Sequence, residues 1–107
     1  MNVITNNNIK CTIALAALES VMDPEIGLNV ADLGLIYQID FNESEKKIYV
    51  TMTLTTQFCP MGESITGAVK QALETVFAGE EVLLVLSFDP PWNKERISGE
   101  GKQFLNR

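Results

Sequence analysis

Thr51-Met52-Thr53-Leu54-Thr55-Thr56-Gln57-Phe58-Cys59-Pro60-Met61-Gly62 is a stretch in which a strand stops, a thiol is presented and a helix begins. Leading into it, Ile48, Val50, Met52 and Leu54 alternate with Tyr49, Thr51, Thr53 and Thr55, the period of two expected of a half-buried strand. The alternation fails at Gln57. Pro60 follows Cys59, and proline is favoured at the first position inside a helix because its missing N–H is not needed there. Cys59 is therefore expected to be the N-cap. Met61, Ile65, Ala68, Val69, Ala72, Leu73, Val76 and Phe77 then recur at helical spacing and give one apolar face. A thiol at that junction sits where unpaired backbone N–H groups and the helix dipole favour the thiolate.

Working outward toward the C-terminus, the helix is expected to run from Pro60 to about Ala78, with Gly79 as a left-handed C-cap. Val82, Leu84, Leu86 and Phe88 alternate with Leu83, Val85 and Ser87. That strand is apolar on both faces, which predicts a central or covered position, and a crossover to a parallel partner would be right-handed. Asp89-Pro90-Pro91-Trp92 breaks it, and Asn93 and Ser98 are candidate caps for short helical turns toward Leu105. Gly99 and Gly101 weaken the last of these.

Working outward toward the N-terminus, Leu35, Tyr37, Ile39 and Phe41 alternate with Ile36, Gln38 and Asp40, and a polar turn over Asn42–Lys47 makes residues 35–55 a hairpin. Ahead of it, Asp23-Pro24-Glu25-Ile26-Gly27 opens a loop that continues to Ile36 with a second glycine at Gly34. Taken alone, that loop reads as a solvated turn. Asp23-Pro24 ends a helix expected from about Ile9 to Met22, capped by Asn8, with Ile13, Ala14, Ala17, Leu18 and Val21 on one face. Cys11, on its first turn, reads as a small hydrophobe. Residues 1–8 are expected to fray. The order helix, strand, strand, helix, strand, short helices predicts one α+β domain over residues 1–107, two-layered, with helices on one face of a small sheet.

Composition narrows the chemistry further. A chain of 107 residues is expected to form one core and to bury about 60 to 70% of its unfolded surface. No apolar run approaches the roughly 20 residues that span a bilayer, and the first eight residues carry no secretory or organellar pattern, so a cytoplasmic protein without a membrane partner is expected. The net charge of -6 disfavours a nucleic-acid partner, whose affinity comes largely from Lys and Arg displacing counterions. The chain has no histidine, which removes Ser-His and Cys-His pairs, histidine bases and histidine metal ligands. Its two cysteines, Cys11 and Cys59, lie in different elements and make neither a C-x-x-C redox motif nor a four-cysteine zinc site.

The ordered set D-P-E-I-G from Asp23, D-L-G-L-I-Y from Asp32, M-T-L-T-T from Met52, C-P-M-G from Cys59 and D-P-P-W from Asp89 resembles the family of small iron-sulfur cluster assembly factors that includes SufT and the PaaD subunit of phenylacetate degradation. The match runs from about Leu18 to Leu105. The resemblance implies an α+β fold related to other cluster-assembly domains and a functional cleft built from Asp23, Glu25, Ile26, Thr55, Thr56 and Cys59. Two carboxylates, two hydroxyls and one helix-capped thiol could converge there if the strand ending at Thr55 lies beside the loop after the first helix. The carboxylates oppose thiolate formation while the helix terminus favours it. Gln57 and Phe58 stand where family members commonly have proline and a small residue, and the C-terminal cysteines of PaaD-like proteins have no counterpart here, which points to the stand-alone branch.

The leading expectation is a non-enzymatic accessory factor in iron-sulfur protein maturation, acting through Cys59 with scaffold or client proteins. One thiolate cannot hold a cluster that usually takes four ligands. No cofactor is expected to be tightly bound: a transient iron-sulfur cluster, with Cys59 as metal ligand, would be shared with a client or with the second subunit of a homodimer, Asp23 or Glu25 completing the coordination. Two alternatives stand beside it. One is a thiol enzyme with Cys59 as nucleophile and Asp23 or Glu25 as base. The other is a pure interaction module anchored by Trp92, a residue that otherwise reads as a plug closing the sheet.

Overall fold

The computed structural model describes residues 3–24, 26–55, 62–89 and 91–105. The predicted hairpin is its centre: β4 (Ile36–Asn42) pairs antiparallel with β5 (Lys47–Met52), with Ile39 opposite Val50 and Phe41 opposite Ile48. The register shifts between Ile36 and Gln38. A bulge there lets Leu35 and Ile36 both be buried although they are adjacent. The burial of Ile48, Val50, Met52 and Leu54 follows the alternation read from sequence. Thr53 departs from it, being fully buried, with its N–H donating to the Leu35 carbonyl at 2.8 Å.

Within the segment expected to fray, residues 4–5 instead join the sheet. β1 (Ile4–Thr5) adds parallel to β4, and Asn6 extends the pairing with its side chain: Nδ2 donates to the Phe41 carbonyl at 3.0 Å and Oδ1 accepts from the Phe41 N–H at 2.9 Å. The carboxamide thus reproduces both hydrogen bonds of a strand residue. Asn7, rather than Asn8, caps α1 (Asn8–Leu18), accepting from the Lys10 N–H at 3.0 Å. That helix ends four residues before Met22, and its buried side is Cys11, Ala14 and Leu18, while Ile13 is exposed.

The long helix, α2 (Gly62–Val76), buries Ile65, Val69 and Leu73 against the same core as β5. Val76, expected on that face, is exposed. Gly79 has φ +87 and turns the chain as expected of a left-handed cap. β6 (Glu81–Leu86) then pairs parallel to β5, but the sheet order is β1-β4-β5-β6, so β6 is an edge and not a central strand. Its apolar far face is only partly covered: Val85 is 60% exposed.

Two further strands, β2 (Met22–Asp23) and β3 (Leu28–Asn29), form a separate antiparallel pair. After a short 3-10 turn (Lys94–Arg96) capped by Asn93, α3 (Gly99–Leu105) closes the described chain, and the Ser98 hydroxyl caps it through the Gly101 N–H at 3.0 Å. Gly101 is there for space. A Cβ on it would lie 2.8 Å from Ile97 Cγ2 and 2.9 Å from Leu28 Cδ2.

Candidate functional site

D-P-E-I-G is the link between β2 and β3, and its first and last residues shape the turn. The Asp23 carboxylate accepts from the Ile26 N–H at 3.3 Å, the Asp23 carbonyl accepts from the Gly27 N–H at 2.7 Å, and Gly27 takes φ +80. Asp23 is 1% exposed. The expectation of a solvated turn is therefore wrong at this residue: the carboxylate lies inside, and a buried carboxylate needs partners of the kind the turn amides supply. Ile26 is half-buried and packs against the core.

The loop and the long helix share the lining of a groove of about 690 Å³ between α1 and α2. Ala16, Ala17 and Val21 line one wall and Ala68 and Ala72 the other. Pro24 lines it together with Ser64 and Ile65, in the first turn of α2. The loop after α1 therefore borders the same groove as the start of the helix that follows Cys59-Pro60-Met61 in sequence. Thr55 lies half-buried beyond the end of β5, in the connection leading to that helix. Glu25, Thr56 and Cys59, and with Cys59 the predicted N-cap, lie outside the described residues. Among the described residues, no group of three or more Cys, Asp and Glu side chains is arranged to hold a metal ion.

Cys11 is far less available chemically than an exposed thiol. It is buried, and burial pushes its pKa up against a smaller opposing hydrogen bond from Thr5.

Residues that the sequence singled out only as motif letters acquire a structural task around the turn Asp32–Gly34. The Ser98 hydroxyl donates to Asp32 Oδ1 at 2.9 Å, and the Asn29 side chain donates to Asp32 Oδ2 at 2.7 Å. Trp92 Nε1 donates to the Leu33 carbonyl at 2.7 Å, and Arg96 Nε donates to the Gly34 carbonyl at 2.8 Å. Arg96 also stacks on Tyr37, with its guanidinium carbon 4.2 Å from the ring centroid. Gly34 has φ +73, and a Cβ on it would fall 2.3 Å from the Arg96 carbonyl oxygen. D-L-G and the segment from Trp92 to Ser98 are thus two halves of one clasp. Sequence spacing could not reveal it, because its partners lie 59 to 66 residues apart.

Residues 13–84 match the family described as "Iron-sulfur cluster assembly protein". The chain is 43% identical over 83 residues to a Porphyromonas gingivalis protein named Fe-S protein maturation auxiliary factor, covering 78% of each chain. It is 35% identical over 88 residues to the Bacillus subtilis Fe-S protein maturation auxiliary factor YitW, covering 82% of this chain and 85% of that one. A crystal structure of a domain of unknown function from Bacillus anthracis superposes with a TM-score of 0.83 at 36% identity, covering 89% of this chain and 90% of the other.

Proposed function

The chain belongs to the iron-sulfur cluster assembly protein family, and from that premise we propose that it is a non-enzymatic accessory factor in iron-sulfur protein maturation, with Cys59 as its working group. The observation that supports this most directly is the placement of the D-P-E-I-G loop beside the first turn of α2, with Pro24 lining the same groove as Ser64 and Ile65. Cys59 stands three residues before Gly62, the first residue of that helix. A helix start so near in sequence favours a thiolate while the carboxylates of the D-P-E-I-G loop oppose it, and Asp23, Glu25, Ile26, Thr55 and Thr56 are the residues we assign to the rest of the cleft.

In this reading the cluster is cargo. A thiolate from Cys59, with a carboxylate oxygen from the D-P-E-I-G loop, offers a soft and a hard donor and leaves the remaining iron positions to a scaffold or client protein. Such incomplete ligation suits transfer, because the client's own cysteines can replace the donors one by one. The thiol-enzyme alternative has no histidine to serve as base. Anchoring of a partner by Trp92 competes with the bond from its indole N–H to the Leu33 carbonyl.

Co-purification of the chain and of Cys59→Ser from the same cells tests the proposal, read by mass spectrometry of bound proteins and by iron and sulfide content of size-separated fractions. Iron is expected only in fractions containing a second protein chain and is expected to vanish in Cys59→Ser. A monomer fraction retaining stoichiometric iron after chelator treatment, or iron unaffected by the substitution, would overturn it.

A further inference from the structure

The outer edge of β6 is an open edge of the four-stranded sheet among the described residues. The Glu81 N–H donates to the Lys46 carbonyl and the Ser87 N–H to the Met52 carbonyl, each at 2.9 Å, so the odd-numbered amides of this strand point inward to β5. The even-numbered amides point outward. Val82 shows this, since its N–H faces the Glu74 carboxylate at 3.5 Å. Beyond Val82, the amides of Leu84 and Leu86 point to a side of the sheet where no described strand lies. Protein edges are commonly blunted by charge, proline or a bulge. From Val82 to Leu86 the strand has none of these: it reads Val-Leu-Leu-Val-Leu and keeps unbroken register with β5. Val85, Leu86 and Phe88 are 60%, 40% and 38% exposed.

We propose that this edge pairs with β6 of a second copy of the chain, antiparallel about a two-fold axis at Leu84, joining two four-stranded sheets into one. The strand is complementary to itself in that register. Leu84 faces Leu84 of the partner copy in a hydrogen-bonded pair, Val82 faces Leu86, and Leu83 faces Val85, so every central pair is aliphatic. Glu81, the strand's one charge, falls opposite Ser87. A register one pair further along would set Glu81 against Asp89, and like charges directly opposite are destabilising. The side of the strand carrying Leu83 and Val85 then gains cover, and the outward amides of Leu84 and Leu86, which unlike Val82 have no carboxylate beside them, gain acceptors.

Sedimentation equilibrium of the purified chain, from low to high micromolar concentration, is expected to show a reversible monomer–dimer equilibrium. Val85→Lys alters two symmetry-related pairs at an exposed position and is expected to weaken dimerisation by about tenfold or more. Leu86→Pro removes an outward N–H without touching the ladder to β5, so it is expected to weaken the dimer while circular dichroism still reports a folded chain. Amide hydrogen exchange supplies a readout that needs no variant: protection of Leu84 and Leu86 is expected to rise with protein concentration, while that of Ser87, already bonded within the sheet, stays constant. A chain that remains monomeric throughout overturns the proposal. So does a dimer in which Leu84 and Leu86 exchange as in the monomer, or one indifferent to Val85→Lys.

Discussion

Gly34→Ala tests the clasp at its tightest point. Two costs act together. The backbone at φ +73 is left-handed, a conformation that costs an L-residue about 1 to 2 kcal/mol. The new Cβ would also meet the Arg96 carbonyl oxygen at 2.3 Å, the Arg96 Cβ at 2.8 Å and its carbonyl carbon at 2.9 Å. Two of these are main-chain atoms, so the 3-10 segment itself has to move, loosening the bonds from Trp92 to Leu33, from Arg96 to Gly34 and from Ser98 to Asp32. With each such bond worth about 0.5 to 1.5 kcal/mol net, the expected total loss is about 3 to 6 kcal/mol. Gly27→Ala is the matched control, because Gly27 has nearly the same φ, +80, but nothing within 4 Å of its would-be Cβ. It is expected to cost only the backbone share, about 1 to 2 kcal/mol. Urea unfolding followed by the fluorescence of Trp92, the chain's single tryptophan, measures both variants and sits on the clasp itself. A difference between them below about 0.5 kcal/mol would refute the close approach at Gly34 and with it the clasp.

Leu73→Ala, at a fully buried position of α2, is expected to cost about 2 to 5 kcal/mol in the same assay; a change below about 0.5 kcal/mol would undo the assignment of the helix face. In native-state alkylation resolved by mass, Cys59 is expected to react faster than Cys11, whose thiol is buried with a raised pKa; the reverse order contradicts the proposed cleft. Lys10 and Glu43 pair at 2.8 Å, and the hydrogen bond from Lys10 holds the Glu43 carboxyl below its ordinary range. A depressed carboxyl contributes above its unfolded pKa and loses that contribution as pH falls through the folded one, so the stability gap between the chain and Lys10→Met should narrow on acidification. A gap constant from neutral to strongly acid solution would show that the pair contributes nothing. Trp92→Phe is expected to lower stability by about 1 to 3 kcal/mol through the unpaired Leu33 carbonyl, and unchanged unfolding alongside lost partner binding would restore the anchor reading.

What the sequence displayed well were the features with a local cause. The period of two over Ile48–Leu54, the apolar face of α2 and the left-handed cap at Gly79 all depend on neighbours within a few residues, and apart from the buried Thr53 and the exposed Val76 they appear in the fold. The errors arose where distant groups decided the outcome. Met1–Asn8 has no apolar pattern, yet β4 offers an edge and Asn6 supplies side-chain bonds to Phe41 that no propensity encodes. β6 reads as a covered strand because both its faces are apolar, but whether a strand is an edge depends on which others pair with it. Periodicity puts Ile13 inside together with Ala14 and Leu18, whereas α1 turns Cys11 to the core beside those two and leaves Ile13 exposed. At the candidate site, Asp23 and Gly27 were recognisable as turn residues; the burial of the carboxylate was not, since it follows from the packing around a two-stranded pair too short to carry a pattern.

The clasp also sets an order of events during synthesis. Leu33, Gly34 and Asp32 are joined to partners 59, 62 and 66 residues further along, so the turn that links β3 to the central hairpin is made long before anything that can secure it. Until Trp92, Arg96 and Ser98 have left the ribosome, the carbonyls of Leu33 and Gly34 have only water. Contacts of such sequence separation carry the largest loop-closure cost and form late. A nascent chain arrested before Trp92 would therefore carry the hairpin and α2 with a turn still unlatched, open to proteases at Asp32–Gly34, and resistance at that point would arise in one step as the segment through Ser98 emerges.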